Sequence, residues 1–182
     1  GLLYQDTNPD GGTQTLTRVD TDSGQTVTLT SSSGRTSSYG LEWNEDGTTT
    51  WTFVDEAGGE TLVVTDEEGN QTATYPNGRT LAVTFAPDPR WGDLVSYFAS
   101  AITTTPTGLV QEVTATKEVG LTDLDNPLSL EYETHTIEMN GRSFTRSYDA
   151  ASLTLTRTSP EGRQVQIVSD GSGRVVQLLQ DP

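Results

Sequence analysis

His135, in "EYETHTIEMN", is the chain's only histidine. Imidazole is the side chain best suited to acid–base work near neutral pH. A Ser-His-Asp triad or a zinc site would have to be built around this one residue, and the sequence has neither a Gly-x-Ser-x-Gly elbow nor a second histidine to help. The simpler reading is a half-exposed strand residue. Paired carboxylates could hydrolyse glycosides if one were raised in pKa by burial. With 26 Asp and Glu such pairs arise by chance, and their place in Gly-rich turns argues for solvent. No residue set supports an enzyme, and the expectation is a non-enzymatic chain.

Calcium chemistry is written more plainly. Asp20 and Asp22 in "VDTDSGQ", Asn44 and Asp46 in "WNEDGT", and Asp123, Asp125 and Asn126 in "TDLDNP" put hard oxygen ligands at alternating positions, as calcium loops do. None completes the EF-hand spacing with a Glu at the twelfth position. Asp20, Asp22, Asp123 and Asp125 are candidate calcium ligands, the alternative being solvated acidic turns; no other cofactor is implied. Trp43, Trp51, Trp91 and Tyr97 offer flat aromatic faces on which a sugar could stack. Trp51 alternates with Phe53, which points it to a core. Trp91 and Tyr97 are then the candidate ligand-binding pair.

Charge narrows the partners. Ten Lys and Arg against 26 acids give a net charge of −16 and a sequence pI near 4.1. Nucleic acid and anionic membrane surfaces are poor partners, because both are held by clustered cations. No apolar stretch approaches the roughly 18 to 20 residues of a spanning helix, so membrane insertion is not expected. Without cysteine there is no disulfide framework, thiolate nucleophile or thiolate metal site. The start at Gly1, with neither a basic end nor an apolar run in residues 1–20, reads as a fragment or processed product.

The elements that position these residues are strands. Turn dipeptides recur at Asp10-Gly11, Ser23-Gly24, Ser33-Gly34, Asp46-Gly47, Gly58-Gly59, Glu68-Gly69, Asn77-Gly78, Asn140-Gly141, Glu161-Gly162 and Ser172-Gly173. They suit antiparallel strands joined by primed turns, which need positive φ. Between turns the period is two: Trp51 with Phe53, Leu81 with Val83 and Phe85, Leu153 with Leu155, Val165 with Ile167. The 32 threonines fill the opposite stripe, since β-branching suits extended backbone. With 31% hydrophobic residues no thick core is expected, only a thin sheet with one apolar side. The rhythm breaks at 87–127, where Pro87, Pro89, Pro106 and the helix-compatible run Asp93 to Ala101 predict an irregular insertion with a short helix. Three segments result: an N-terminal hairpin meander over 1–86, the insertion, and C-terminal hairpins over 128–182.

Tyr148-Asp149, the Gly162-Arg163 turn, Asp170 followed by Gly173-Arg174, and Asp181-Pro182 resemble consecutive units of the bacterial RHS/YD-repeat family, whose loose pattern is a Tyr-Asp, a Gly-Arg and a strand between. The likeness is clearest over residues 143–182, and "YPNGRTLAVTF" over 75–85 is similar to a degenerate unit. In physical terms the Asp accepts backbone amides of the next turn, the Gly supplies turn geometry, and the Arg reaches a neighbouring hairpin. The resemblance implies an all-β, curved antiparallel sheet of the kind that builds hollow shells in bacterial toxins and in teneurin-like cell-surface proteins, with repeats that are not themselves catalytic. It implies a structural module, extracellular or on the cell surface. Its partners would be neighbouring repeats or copies of itself, joined at the open ends 1–12 and 174–182 into a shell, tube or fibre. The other class of function is an adhesin segment, binding a glycan or surface protein through Trp91 and Tyr97.

Overall fold

The computed structural model describes residues 4–180. The outermost parts of the expected open ends, including Asp181-Pro182, lie outside the described residues. Every regular element described is a strand: β1 (Gln5–Thr7), β2 (Thr13–Thr21), β3 (Gly24–Ser31), β4 (Thr36–Trp43), β5 (Thr49–Val54), β6 (Glu60–Thr65), β7 (Gln71–Thr74), β8 (Thr80–Asp88), β9 (Gly92–Thr104), β10 (Val110–Leu121), β11 (Leu130–Met139), β12 (Arg142–Asp149), β13 (Thr154–Thr158), β14 (Gln164–Ser169) and β15 (Val175–Gln180). Hydrogen-bonded neighbours follow chain order from β1 to β15 in one antiparallel sheet that does not close. This is the all-β meander that the turn spacing implies.

One turn design accounts for most of the connections. At 8–12, 31–35, 44–48, 55–59, 66–70, 75–79, 105–109, 159–163 and 170–174 the first residue's N–H donates to the fifth residue's carbonyl, and the fourth residue's N–H donates to the first residue's carbonyl. The fourth residue is always glycine with φ between 77° and 85°. These are three-residue loops with a G1 bulge, not the expected primed turns. Among the described residues only Asn140-Gly141 has both central φ values positive, at 49° and 77°. The first position carries a side-chain acceptor for the fifth amide at Asn8, Ser31, Asp55, Asp66, Thr105, Ser159 and Asp170. Short polar side chains thus write the turn into the sequence.

The segment 87–127 corrects the sequence reading. Asp93 to Ala101 lies within β9 and residues 110–121 form β10, so the expected irregular insertion and its short helix are two of the longest strands. Leu94, Val95, Tyr97 and Phe98 put apolar groups on both faces, which erases the alternation that marks a half-buried strand. Pro87 lies within β8, Pro89 in the turn between β8 and β9, and Pro106 in the 105–109 turn between β9 and β10. Leu153 also departs from expectation: with φ of 51° it precedes β13 and takes no part in its alternation.

By contacts the chain forms two compact units, residues up to Val83 with Thr103–Val110, and Thr84–Ile102 with Gln111 onward. In the first, cross-strand register puts Leu16, Leu29, Val27, Tyr39, Phe53, Leu41, Trp51, Val63, Ala73 and Leu81 on one face. The reverse face aligns Thr15 with Thr30 and Thr36, and Thr17 with Thr28 and Ser38. In the second, Val119, Glu133, Tyr148, Leu155, Ile167 and Leu178 form one row, and Thr116, Thr136, Thr145 and Thr158 one of the reverse face. Neither unit by itself contains a second layer. Among the described residues only Gly24, Ala73 and Asp88 are buried, so Trp51 and Phe53, expected in a core, remain 52% and 36% exposed.

Two glycines answer packing rather than turn geometry. A Cβ on Gly24 would meet the carbonyl oxygen of Leu41 at 2.1 Å, and one on Gly120 would meet the ring of Tyr132, its cross-strand partner, at 2.2 Å. Tyr132 lies over Gly120 and donates its hydroxyl to Glu118 at 2.9 Å, filling with an aromatic ring what glycine leaves open.

Candidate functional site

Asp88, at the end of β8, is among the described residues the one charged residue withdrawn from solvent, at 3% exposure. Its Oδ1 accepts the backbone N–H groups of Arg90 at 2.7 Å and Trp91 at 3.0 Å, bracing the turn into β9. Its Oδ2 accepts Lys117 Nζ, the only lysine. Lys117 also approaches Glu133 at 3.3 Å, and Glu133 Oε1 lies 3.6 Å from His135 Nε2. Burial works to raise the Asp88 pKa, but the hydrogen bond from Lys117 and those from the two amides outweigh it and hold the carboxyl below its usual value. Burial likewise works to lower Lys117, and is outweighed by its hydrogen bond to Asp88 and the charge of Glu133. A lysine held more firmly protonated is a fixed charge, the opposite of a lysine tuned as base or nucleophile.

Lys117 begins a row. In direct cross-strand register, Lys117 faces His135, His135 faces Arg146, Arg146 faces Arg157, and Arg157 faces Val165. Three arginines, Arg146, Arg157 and Arg163, line a 560 Å³ groove whose apolar lining includes Ile137, Phe144 and Val165. His135 borders the same groove, and its Nε2 has no hydrogen-bond partner. Burial, with the charges of Lys117 and Arg146, holds the imidazole pKa below its ordinary value against the pull of Glu133 and Asp88.

The residues singled out in the sequence fall in several places. Asp149 and Asp170 perform the turn-bracing expected of them: Asp149 Oδ1 accepts Ser152 N–H at 2.7 Å, and Asp170 Oδ1 accepts the amides of Ser172 and Arg174 at 2.9 and 3.0 Å. Those bonds lower both carboxyls, with the side-chain bond from Ser152 leading for Asp149 and the Arg174 amide leading for Asp170. Tyr148 lies half-buried on β12 beside Glu133 and Leu155. Gly162 and Gly173 supply φ of 81° and 77°. The arginine brace departs from expectation, since Arg174 pairs with Asp170 of its own turn at 2.9 Å and Arg163 faces the groove. The hairpin-to-hairpin brace is instead made by Arg35 with Glu56 at 2.8 Å and Arg142 with Glu161 at 3.9 Å.

Among the candidate calcium ligands, Asp20 pairs with Arg18 at 2.7 Å, Asp22 lies in the β2–β3 turn, and Asp123 Oδ1 accepts the N–H of Asp125 at 3.1 Å. No group of three or more His, Cys, Asp and Glu among the described residues is arranged to hold a metal ion. Trp91 stands in the β8–β9 turn under the guanidinium of Arg90, 4.8 Å from the ring centroid, and Tyr97 lies half-buried on β9 with its ring 6.4 Å from His135. Trp43 and Trp51 belong to the other unit, sharing an exposed face with Tyr39 and Phe53, whose ring centroids lie 4.9 Å apart with the planes tilted by 35°. The arginine row has no local signature in the sequence, because its members lie on four strands and only register aligns them.

Neither a protein-family model nor a curated protein matches the sequence.

Proposed function

We propose that the chain is a non-enzymatic structural module of RHS/YD type, extracellular or on a bacterial cell surface, whose sheet is continued by strand pairing into a longer shell, tube or fibre. The observation that carries this reading is β15. It hydrogen-bonds to β14 alone, and Val175, Val176, Leu178 and Leu179 are 63%, 62%, 64% and 45% exposed, with no charge or proline along the strand. Natural sheets guard their edges with those devices, and an unguarded apolar edge is a template for another strand. The uniform Gly turns and the Asp149 and Asp170 braces support the repeat resemblance, because stacked hairpins bury together what one hairpin cannot.

Negative-stain electron microscopy of the purified chain, without and with millimolar calcium, tests the reading. Filaments or tubes that vanish in Val176→Lys/Leu178→Lys support edge-strand assembly, and calcium dependence would place the acidic turns at the joints. Monodisperse particles in both conditions, with the amides of β1 and β15 protected from exchange, would contradict it. A second reading, a glycan- or protein-binding adhesin segment, is favoured by the aromatic face around Trp43 and Trp51, which is too exposed to serve packing alone. That face, rather than Trp91 beneath Arg90, is where such a ligand would stack.

A further inference from the structure

The ten cations of this chain divide cleanly. Arg18, Arg35, Lys117, Arg142 and Arg174 are in ion pairs. Arg79 and Arg90 lie over the rings of Tyr75 and Trp91. Arg146, Arg157 and Arg163 have neither kind of partner among the described residues, and all three meet at the one groove. In a chain of net charge −16, with acids to spare for pairing, three unpaired arginines in one place are unexpected. Arg146 and Arg157 are also direct cross-strand partners. Like charges in that relation weaken a sheet, so the fold alone disfavours the arrangement.

We propose that this groove binds a small amphipathic anion, a free carboxylate on an apolar body. The head would be forked by Arg146 and Arg157 with Arg163 beside them, and the body would lie along Ile137, Phe144 and Val165. Guanidinium groups meet carboxylates through two parallel hydrogen bonds, a geometry that neither a lone lysine nor a dipole reproduces. The groove's 560 Å³ lies within the range of about 300 to 1,000 Å³ in which small ligands are held. Phe144 and Ile137 are 41% and 44% exposed, so an apolar body covers surface that otherwise faces water. The apolar lining selects against inorganic anions, and the acidic surroundings select against polyanions.

The test is calorimetric titration of the full chain with decanoate, below micelle formation and at about 50 mM salt so that screening stays weak. Acetate, decylammonium and phosphatidylglycerol vesicles are the comparison titrants. Saturable one-to-one binding of decanoate is expected, weakened about tenfold or more by Arg146→Gln and by Arg157→Gln, where charge-assisted bonds are lost. Phe144→Ala should weaken it too, and acetate and decylammonium should give no saturable heat. Thermal melts separate a binding role from a structural one: Arg157→Gln relieves like-charge repulsion and should keep or raise the melting midpoint while losing the ligand. The proposal is overturned if decanoate does not bind, if both arginine variants bind as the parent does, if decylammonium binds equally well, or if only vesicles bind.

Discussion

The carboxylate of Asp88 and the ammonium of Lys117, 29 residues apart in sequence, form an ion pair whose side chains are only 2% and 11% exposed. Among the described residues almost no side chain is buried, and Asp88 is the charged one that is. Breaking a buried pair by removing one partner strands the other charge, at a cost of about 3 to 5 kcal/mol. Lys117→Met should therefore lower the urea midpoint markedly. Asp88→Ala should lower it further, because the amides of Arg90 and Trp91 lose their acceptor as well. Equilibrium urea unfolding of the two variants, with Asp88→Asn/Lys117→Met as the neutral pair, checks the order.

The same pair sets the alkaline limit. Lys117 has a folded-state pKa above its unfolded value, so its contribution is complete below about pH 10.4 and is lost as pH rises through the folded value. Asp88 has the reverse sign: its contribution is complete above about pH 4 and is lost as pH falls through its lowered folded value. Stability measured from pH 9 to 11 should fall less steeply in Lys117→Met than in the parent. The remaining fall belongs in part to Tyr132, whose phenol is held above 10.0 by its hydrogen bond to Glu118. Identical slopes would remove Lys117 from the account.

His135 gives a separate slope at mild acidity. Its pKa is lower in the folded chain than in the unfolded one, so stability is complete above about pH 6.5 and declines as pH falls towards the folded value. His135→Gln should flatten the melting midpoint between pH 7 and 5. Arg146→Gln should flatten it partly, since that guanidinium is one of the charges opposing protonation.

Glycines of two kinds should separate by magnitude. At Gly58, with φ of 83° and open space where a Cβ would go, Gly58→Ala should cost about 1 to 2 kcal/mol from backbone conformation alone. At Gly24 the φ is ordinary, but the Cβ would run into the backbone of Leu41 and Glu42, which no side-chain rotation relieves. Gly24→Ala should cost more than Gly58→Ala and disturb amide exchange in β3 and β4. Thermal melts of both, with exchange on the second, distinguish them.

These residues also mark what the sequence makes legible. The Gly dipeptides mark locally where the chain turns, but not which turn it makes: the bulged loop is set by the bond from the fifth residue's amide to the first residue's side chain, as at Asn8 and Asp170, and the same dipeptides suit a primed turn. The strands between follow from alternation where one face is Thr-rich, as in Thr13 to Thr17 or Thr26 to Thr30. β9 escapes because Tyr97 and Phe98 sit on opposite faces and Asp93 to Ala101 suits a helix equally well. Trp51 was legible as a strand residue but not as an exposed one, because alternation says which side chains share a face and nothing about whether another layer covers it. The row from Lys117 to Arg157 depends on register across four strands, which no local stretch encodes.

That nearly every side chain keeps one flank in water has a thermal consequence. The heat capacity of unfolding grows mainly with the apolar surface newly wetted, and here less of it than usual is hidden beforehand. The increment per residue should fall below the usual value of about 12 to 15 cal/mol/K, giving a shallow stability curve. Such a sheet gains less than usual from the release of ordered water. It is held by its backbone ladders, and changes little between cold and warm surroundings.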